Sequence, residues 1–293
     1  MKGIVLAGGS GSRLWPITRS VSKQILPVYD KPMVYYPIST LMLAGIKEIL
    51  IITTPHDQPQ FKELLGDGSD LGVSFQYAIQ LEPKGLAQAL VIGENFLNSD
   101  SCLMILGDNI FHGAGLGRQI ASVLPEIGAH IFTYEVANPK DYGVLELDEL
   151  NHPKSIVEKP SRFISNLAVT GLYFFDSKAS GYAKKIKPSL RNELEITSLL
   201  DCYLQNRELT ATALSRGTAW LDTGHPNTLS DAAMYIRIIE ERTGLKIACL
   251  EEIALMNNWI TRDHIIEIIS KKPKNFYYSY LEKLIEMNAG LPD

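Results

Sequence analysis

The sequence predicts an α/β protein with three layers, in which helices cover both faces of a sheet. From residue 4 to residue 136, short unbroken apolar runs alternate with longer segments of helical pattern, which is typical of strands joined by helical crossovers. Glycine or polar residues follow several of these runs. In sheets of this kind a ligand binds at the carboxyl ends of the strands, so we expect the functional residues there.

The first half of the chain alternates strands and helices. A strand at residues 4–7 runs into a glycine loop, and a buried helix at residues 33–44 is followed by Gly45, a favourable residue after a helix end. Further strands are predicted at residues 48–53, 73–80, 102–106 and 130–136, with helices at residues 85–96 and 116–124.

The second half changes character. Closely spaced strands at residues 143–147, 155–159 and 168–175 are separated by turn residues and predict a β-rich insertion. Helices are then expected at residues 177–187, 193–205 and 227–242, with a strand at residues 210–214. The tail, from residue 246 onward, has apolar clusters at helical spacing and is predicted to be mainly helical.

Composition and charge argue against several classes of protein. The 293 residues are 45% hydrophobic and 21% charged, which is typical of a globular chain. There are 28 basic and 33 acidic residues, a net charge of −5, and no basic stripe, so we expect no nucleic acid partner. The longest uncharged stretch, residues 33–46, is shorter than the roughly 20 residues of a membrane span, so we expect no membrane partner.

The cysteines and histidines indicate the compartment. Cys102, Cys202 and Cys249 are far apart and odd in number, which is typical of reduced thiols in a cytoplasmic protein. The six histidines have no zinc-binding spacing. The apolar run at the amino terminus is too short for a secretory signal, so we expect a cytoplasmic location.

The glycine loop after the first strand is the first candidate site. Gly8, Gly9 and Gly11 match neither the dinucleotide fingerprint nor the P-loop, since the third glycine of the former and the Gly-Lys-Ser/Thr of the latter are missing. An ordinary strand-to-helix turn is the alternative. Glycines let backbone N–H groups approach an anion, and Arg13 and Lys23 supply positive charge, so the loop is interpreted as a triphosphate cradle.

The longer string around this loop resembles a known family. It reads G-G-S-G-S-R-L and continues to Pro16, Lys23 and Pro27, which is similar to the signature of the sugar-phosphate nucleotidylyltransferases. Ser12 stands where that family usually has threonine, and the hydroxyl is kept. The resemblance covers essentially the whole chain. It implies a three-layer, Rossmann-like (GT-A-like) mixed sheet with a β-rich sugar-binding insertion and a helical tail.

The resemblance also implies a reaction. A phosphate oxygen of glucose 1-phosphate would attack the α-phosphorus of dTTP, with Mg²⁺ as cofactor, and pyrophosphate would leave. The attacking group is already an anion, so positioning and charge neutralisation should dominate catalysis. Two alternatives stay open: the same chemistry with UTP or another sugar 1-phosphate, and a regulatory subunit that has lost catalysis.

Two aspartates are candidate metal ligands. Asp108 follows the apolar run of residues 103–106, and Asp222 precedes Gly224 after a second apolar stretch. A carboxylate at a strand end can hold Mg²⁺ against phosphates, although a turn aspartate would look the same for each one alone. In the resembling family the matching residues coordinate the metal.

The resemblance carries further roles onto this chain. As catalytic residues it implies Arg13, Lys23 and Lys159. For the nucleotide it implies Gly8, Gly9, Ser10, Gly11, Ser12, Arg13, Lys23, Gln24, Gln80, Gly85 and Asp108. For the sugar phosphate it implies Asn109, Tyr142, Gly143, Glu158, Lys159, Val169 and Trp220. By itself, the Glu158-Lys159-Pro160 sequence would be interpreted as a charged turn.

Domain organisation and regulation follow from the same resemblance. Residues 1–242 are expected to form the catalytic core, with a nucleotide half at about 1–136 and a sugar-phosphate half at about 137–242. Residues 243–293 are expected to form a helical tail. The tail is expected to make the contacts of a homotetramer and to hold a site for feedback inhibition by dTDP-rhamnose or a related dTDP-sugar.

Overall fold

The computed structural model describes residues 1–9 and 11–288. Its strands are β1 (Lys2–Ala7), β2 (Pro27–Val28), β3 (Lys31–Pro32), β4 (Glu48–Thr53), β5 (Ser74–Ile79), β6 (Cys102–Leu106), β7 (Asn109–His112), β8 (Ala129–Glu135), β9 (Gly143–Leu147), β10 (Pro153–Glu158), β11 (Leu167–Phe175), β12 (Leu209–Ala213) and β13 (Ala219–Asp222). Its helices are α1 (Tyr35–Leu43), α2 (Gln58–Leu65), α3 (Gln88–Ile92), α4 (Glu94–Leu97), α5 (Leu116–Val123), α6 (Ala179–Ala183), α7 (Ile196–Gln205), α8 (Pro226–Thr243), α9 (Leu250–Met256), α10 (Arg262–Ser270) and α11 (Phe276–Asn288). Short 3-10 helices lie at Ser12–Leu14, Ile17–Arg19, Lys23–Ile25, Ser69–Leu71 and Pro139–Asp141.

Within these residues, nine strands form one mixed sheet. Four parallel strands lie side by side in the order β6, β1, β4, β5. β11 runs antiparallel to β6, β8 and β9, while β8 pairs with β12 in parallel. β9 and β10 form an antiparallel pair at the β-rich insertion. The predicted α/β class and the mixed sheet are confirmed.

The apolar runs of the parallel strands are buried on both faces. Alternate side chains of β1 enter different clusters: Val5 and Ala7 pack with α1 and α5, whereas Ile4 and Leu6 pack with α3, α6 and α7. β4 and β6 divide their side chains in the same way. Successive side chains of a strand point to opposite faces, so a strand covered by helices on both sides must be apolar throughout. This is why these strands appear as unbroken apolar runs in the sequence.

The helices of the tail share the main core. Leu250 and Ile253 of α9, Ile265 of α10 and Leu281 of α11 are buried in the cluster that also contains side chains of α1. The Asn257 side chain also donates a hydrogen bond to the Met42 carbonyl at 3.1 Å. The tail is therefore packed onto the sheet-covering helices.

Several predicted boundaries are wrong. The helix expected at residues 85–96 is two short helices, α3 and α4, which meet at Gly93, and Gly85 lies outside them because its φ of +100° is not helical. The helix expected at residues 177–187 is reduced to α6. The strand expected at residues 155–159 ends at Glu158, since Lys159 has a φ of +44°. Four elements, α2, β2, β3 and β7, were not predicted from the sequence.

No helix among residues 1–9 and 11–288 combines the length and the apolar character needed to span a membrane.

Candidate active site

Three parallel strands of the main sheet end at one edge, and predicted site residues follow each of them. Gly8 follows β1, Gln80 follows β5, and Asp108 lies two residues beyond β6. Because neighbouring parallel strands finish at the same edge, these residues come together. Gln80 and Asp108 border a first cleft of about 210 Å³. The predicted nucleotide residues that line it are Gly9, Lys23, Gln24, Gln80, Gly85 and Asp108.

Gly8 lies in direct contact with Gln80. A Cβ at position 8 would lie 2.2 Å from Oε1 of Gln80 and 3.2 Å from its Cβ. The Gln80 side chain is buried and donates a hydrogen bond to Oε1 of Gln88 at 2.7 Å. Gly8 is therefore needed for the close approach of the Gln80 amide, whereas the sequence predicted only that its backbone approaches an anion.

The chain turns at Gly11. Gly11 has a φ of +61°, which favours glycine, and a Cβ there would lie 3.1 Å from the Thr18 side chain. A Cβ at Gly9 would meet no atom within 4 Å, so the backbone at Gly9 is open to the first cleft. Ser12 is exposed at the start of a 3-10 helix. Ser10, predicted as a nucleotide ligand, lies outside the described residues.

We predict different stability effects for alanine at the two adjacent glycines. Gly8→Ala should lower the free energy of unfolding by roughly 1–3 kcal/mol, because the buried Gln80 side chain must move and lose its bond to Gln88. Gly9→Ala is the matched control and should change it by less than about 0.5 kcal/mol, since its methyl group meets open space. Urea unfolding of both variants measures the difference, and equal stabilities would contradict the contact.

Two buried side-chain amides border the first cleft. Besides Gln80, Gln24 is buried, and its Oε1 accepts a hydrogen bond from the Ser22 hydroxyl at 2.8 Å. Gly85, which also lines this cleft, is in contact with the backbone of Leu194, where a Cβ would lie 2.4 Å from the carbonyl oxygen. The cleft thus has amide groups suited to the donors and acceptors of a nucleobase.

Lys23 and Asp108 form an ion pair at the end of β6. The two residues were predicted separately from the sequence, Lys23 as a phosphate ligand and Asp108 as a metal ligand. Burial by itself raises the pKa of Asp108, but the ammonium of Lys23 outweighs burial and holds that pKa below its ordinary value. Asp108 is therefore ionised in this arrangement, and each of the two groups neutralises the other.

A two-stranded ribbon brings Asp222 to the same place. β7 follows Asp108 directly and pairs antiparallel with β13, so that Asn109 lies opposite Asp222. The backbone N–H of Thr223 donates to the Asp108 carbonyl at 3.1 Å, and the Thr223 hydroxyl donates to it at 2.8 Å. Burial raises the pKa of Asp222 to about 6, with a further contribution from the negative charge of Asp108. The carboxylates of Asp108 and Asp222 are therefore close enough for the charge of one to affect the pKa of the other.

A second cleft, of about 300 Å³, adjoins the first. The two share Asp108, Leu106, Leu86 and Glu193 as lining residues. All seven predicted sugar-phosphate residues line the second cleft: Asn109, Tyr142, Gly143, Glu158, Lys159, Val169 and Trp220. Arg13, which was also predicted for the nucleotide, lines it together with Asp222.

Hydrogen bonds connect several residues that line the second cleft. Oδ1 of Asn109 accepts a bond from Nε1 of Trp220 at 2.6 Å and one from the Gly171 backbone N–H at 3.2 Å. A Cβ at Gly171 would lie only 2.6 Å from that oxygen. The Tyr142 ring packs on Trp220 with ring centroids 5.1 Å apart. These contacts hold the side chains of Asn109 and Trp220 in place, so part of the role of both residues is structural.

An arginine that the sequence analysis missed lies at the rim of the second cleft. Arg191 donates to both carboxylate oxygens of Glu195, at 3.0 and 2.9 Å, and approaches Oε1 of Glu158 at 3.4 Å. Burial and the charge of Glu195 raise the pKa of Glu158, while Lys159 and Arg191 oppose that rise. The sequence does show that Arg191 and Glu195 are four residues apart and could form a pair. It contains no local pattern that would predict the contact of Arg191 with Glu158.

The carboxylates of Asp108 and Asp222 fit a magnesium ion in number and in type. Among residues 1–9 and 11–288, no group of three or more His, Cys, Asp or Glu side chains could hold a metal. Mg²⁺ needs only one or two carboxylates, since phosphate oxygens and waters complete its shell. Asp108 and Asp222 supply that number, and both lie on the wall of the second cleft.

Known proteins with similar sequences share nearly the full length of this chain. A family model described as nucleotidyl transferase matches residues 2–238. A glucose-1-phosphate thymidylyltransferase of Neisseria meningitidis is 51% identical over 287 residues, which cover 98% of this chain and 100% of that protein. One of Mycobacterium tuberculosis is 50% identical over 288 residues, again 98% of this chain and 100% of the relative.

Solved structures show the same architecture. A crystal structure of a protein assigned as a glucose-1-phosphate thymidylyltransferase, from Bacillus anthracis and in complex with a sucrose, superposes with a TM-score of 0.75 at 39% identity. The match covers 81% of this chain and 95% of that one. A UDP-glucose pyrophosphorylase complexed with UDP-glucose has a TM-score of 0.72 at 25% identity, covering 81% and 98%.

Proposed function

Because this chain belongs to the nucleotidyl transferase family, as its glycine loop predicted, we propose that it transfers the thymidylyl group of dTTP to α-D-glucose 1-phosphate. Its products would be dTDP-glucose and pyrophosphate. The observation that carries the proposal is the meeting of two clefts at Asp108, one lined by amides and the other by the sugar-phosphate residues. The names of the relatives at about half identity supply both substrates.

The proposed step is a direct displacement at the α-phosphorus. A bond forms between this phosphorus and a phosphate oxygen of the sugar phosphate, while the bond to the α,β-bridging oxygen breaks and pyrophosphate leaves with the electron pair. The attacking oxygen is an anion near neutral pH, so no side chain has to accept a proton. Catalysis then consists of holding two anions together and neutralising the charge that develops.

Three basic side chains would supply this neutralisation. Arg13 can make paired N–H contacts with the triphosphate, and Lys23 is a compact charge suited to the α-phosphate. Lys159, on the wall of the second cleft, would bind the phosphate of the sugar phosphate. Lys23 pairs with Asp108, and its ammonium has further N–H donors that would reach the phosphate oxygens of the nucleotide.

Asp108 and Asp222 would hold Mg²⁺. When bound, the ion would supply positive charge to the phosphate oxygens, in line with its usual role in phosphoryl and nucleotidyl transfer. The protein's own contribution is the geometry: the β7–β13 pairing holds the two carboxylates together, and Thr223 fixes the backbone at Asp108.

The remaining residues would bind and orient the substrates. Glu158, partly buried and restrained by Arg191, can accept hydrogen bonds from sugar hydroxyls. Gln80 and Gln24 can each donate to and accept from a pyrimidine edge. The choice between thymine and uracil depends on one methyl group, worth only about 1 kcal/mol, so the amides alone do not decide it.

We predict that pyrophosphate release will depend on the base. Purified protein is assayed with glucose 1-phosphate, Mg²⁺ and each of dTTP, UTP, ATP, CTP and GTP, and dTTP should give the fastest release. Omission of glucose 1-phosphate is the control, because direct displacement needs the attacking phosphate. Release with UTP alone would move the protein to the uridylyl branch, and no release with any nucleotide would overturn the proposed activity.

The other expectations from the resemblance stay predictions. A chain that had become a non-catalytic regulatory subunit would be expected to lose some of Arg13, Lys23, Asp108 and Asp222, and this chain keeps all four. A homotetramer and feedback inhibition by dTDP-rhamnose or a related dTDP-sugar are proposed on the resemblance, and a cytoplasmic location is proposed on the cysteines and the short apolar run at the amino terminus.

A further inference from the structure

A small apolar cluster lies directly beneath the catalytic groups. We call it the supporting cluster, and its buried members are Val28, Met33, Tyr36, Ile110, Ala232, Ile236, Ile247 and Ala248. Ile110 follows Asp108 and Asn109 on β7, and Leu221, beside Asp222, packs against the cluster. Val28 and Met33 belong to the segment that follows Lys23. Lys23, Asp108 and Asp222 are the three charged groups of the proposed reaction centre. Each of them is therefore followed or preceded by residues that pack in the supporting cluster.

The segment after Lys23 is a hairpin. Its base is closed where the Val34 N–H donates to the Gln24 carbonyl and the Met33 N–H donates to the Leu26 carbonyl, both at 2.9 Å. Strands β2 and β3 form its arms, and Tyr29 turns the chain with a φ of +62°. Lys23 therefore lies at the base of the hairpin and Asp30 at its tip.

The tip of this hairpin is held by a closed ring of four buried charges. Lys31 contacts Asp30 and, at 2.9 Å, Oε1 of Glu240; Lys246 contacts Asp30 and, at 3.0 Å, Oε2 of Glu240. The exposed fractions of these side chains are 1% for Lys31, 3% for Glu240, 3% for Lys246 and 11% for Asp30. Burial raises the pKa of Asp30, but the two lysines outweigh burial and bring it below its ordinary value.

The ring joins three distant parts of the chain. Asp30 and Lys31 come from the hairpin, Glu240 from the last turns of α8, and Lys246 from the segment leading to α9. The Ile247 N–H also donates to Glu240 at 2.9 Å, and the ammonium of Lys246 lies 4.2 Å from the centre of the Phe276 ring on α11. Burying four charges is expensive unless every one is paired, so such a ring tolerates only one relative placement of its three supports.

We propose that Asp30, Lys31, Glu240 and Lys246 act as positioning residues for Lys23, fixing the hairpin so that the ammonium at its base stands opposite Asp108. This inference rests on the proposed function, because it concerns the rate of that reaction. The ring at the tip of the hairpin restrains Lys23 at its base through strands β2 and β3 and through the two hydrogen bonds that close the base. A displacement of about 1 Å at a charged group of a reaction centre can lower a rate a hundredfold.

The test compares the rate and the local opening of the hairpin in Lys246→Met. This substitution keeps an unbranched side chain only one atom shorter and removes its charge. We expect kcat to fall by roughly tenfold to a hundredfold with little change in KM for glucose 1-phosphate, whose cleft is built by other elements. The backbone amides of Met33 and Val34 should exchange hydrogen faster. Lys246→Arg should keep most of the rate, and Lys271→Met, which removes an exposed lysine paired with Glu267, is the matched control.

The possible outcomes distinguish a failure of the positioning role of the ring from a failure of the proposed activity. A Lys246→Met protein that is folded, turns over normally and protects Met33 and Val34 as before would overturn the positioning role. If this variant does not fold, Glu240→Gln, which keeps the side-chain shape, carries the same two measurements. An unmodified protein that releases no pyrophosphate with any nucleotide would overturn the proposed function, whereas the exchange at Met33 and Val34 would still report on the ring.

Discussion

Asp108→Asn is expected to lower the rate of nucleotidyl transfer by at least about a thousandfold while the protein stays folded. The carboxylate has two partners in the proposed reaction, the ammonium of Lys23 and the metal ion that it would share with Asp222. Asparagine has nearly the same shape but removes the charge that both partners need. The backbone at this position is also held independently of the side chain, because Thr223 donates to its carbonyl.

The measurement for Asp108→Asn is steady-state release of pyrophosphate with saturating dTTP, glucose 1-phosphate and Mg²⁺. Asp100→Asn is the matched control, since it removes the carboxylate of another lysine pair, Lys2 with Asp100, that lies outside the two clefts. We expect this control to keep its activity. Turnover of Asp108→Asn within tenfold of the unmodified protein would exclude Asp108 as a metal ligand and would favour a structural role for its pair with Lys23.

Asp222→Asn is expected to change activity and stability in opposite directions. Turnover should fall as strongly as for Asp108→Asn, because one of the two proposed metal ligands is lost. The free energy of unfolding of the metal-free protein should instead rise by roughly 1–3 kcal/mol at pH 7. The reason is that the folded chain confines this carboxylate among buried groups and next to the charge of Asp108, which raises its pKa to about 6 from an ordinary value of 3.8.

The stabilisation by Asp222→Asn should depend on pH with a definite sign. Well below pH 4 the carboxyl is protonated in both the folded and the unfolded chain, so it contributes no difference. Between about 4 and 6 the unfolded chain releases the proton first, so the unmodified protein loses stability as the pH rises. Above about 6 the penalty is constant. The gain from asparagine should therefore be small at pH 4 and complete by pH 7.

Urea unfolding with EDTA at pH 4.0, 5.5 and 7.0 measures this effect. Asp231→Asn is the matched control, because Asp231 is exposed on α8, and we expect the same stability as the unmodified protein at each pH. An equal or lower stability of Asp222→Asn at pH 7 would show that Lys23 and Arg13 compensate the burial of this carboxylate. A loss of stability caused by burying carboxylates where cations must bind is a common cost of function.

Local patterns in the sequence were sufficient for the main architecture. The strands of the parallel sheet were found because their two-sided burial requires apolar residues throughout, and the residues that follow them lie at one edge by topology. The short elements were missed for a physical reason. β2, β3 and β7 are two to four residues long, too short to show a period, and β7 exists only because β13 pairs with it.

The site divides in the same way. Glycine loops and carboxylates after apolar runs are local features, so Gly9, Asp108 and Asp222 could be selected from the sequence. The family resemblance supplied the sugar-phosphate residues, which share one cleft in the structure. Arg191 and the role of Gly8 could not be found in this way. Both depend on side chains that are far along the chain, Glu158 and Gln80, and no local pattern records such a distance.

By itself, the sequence of this protein determined the fold class, the family resemblance and the kinds of chemical group available, because each of these depends on residue type and short-range order. Tertiary structure alone decided which groups meet. Lys23 and Asp108 are 85 residues apart, and Lys31 and Glu240 are 209 apart, yet each pair is in contact. Contacts over such separations are created when the sheet, the ribbon and the tail pack together, so the charge of each group is known from the sequence but its partner is known only from the fold.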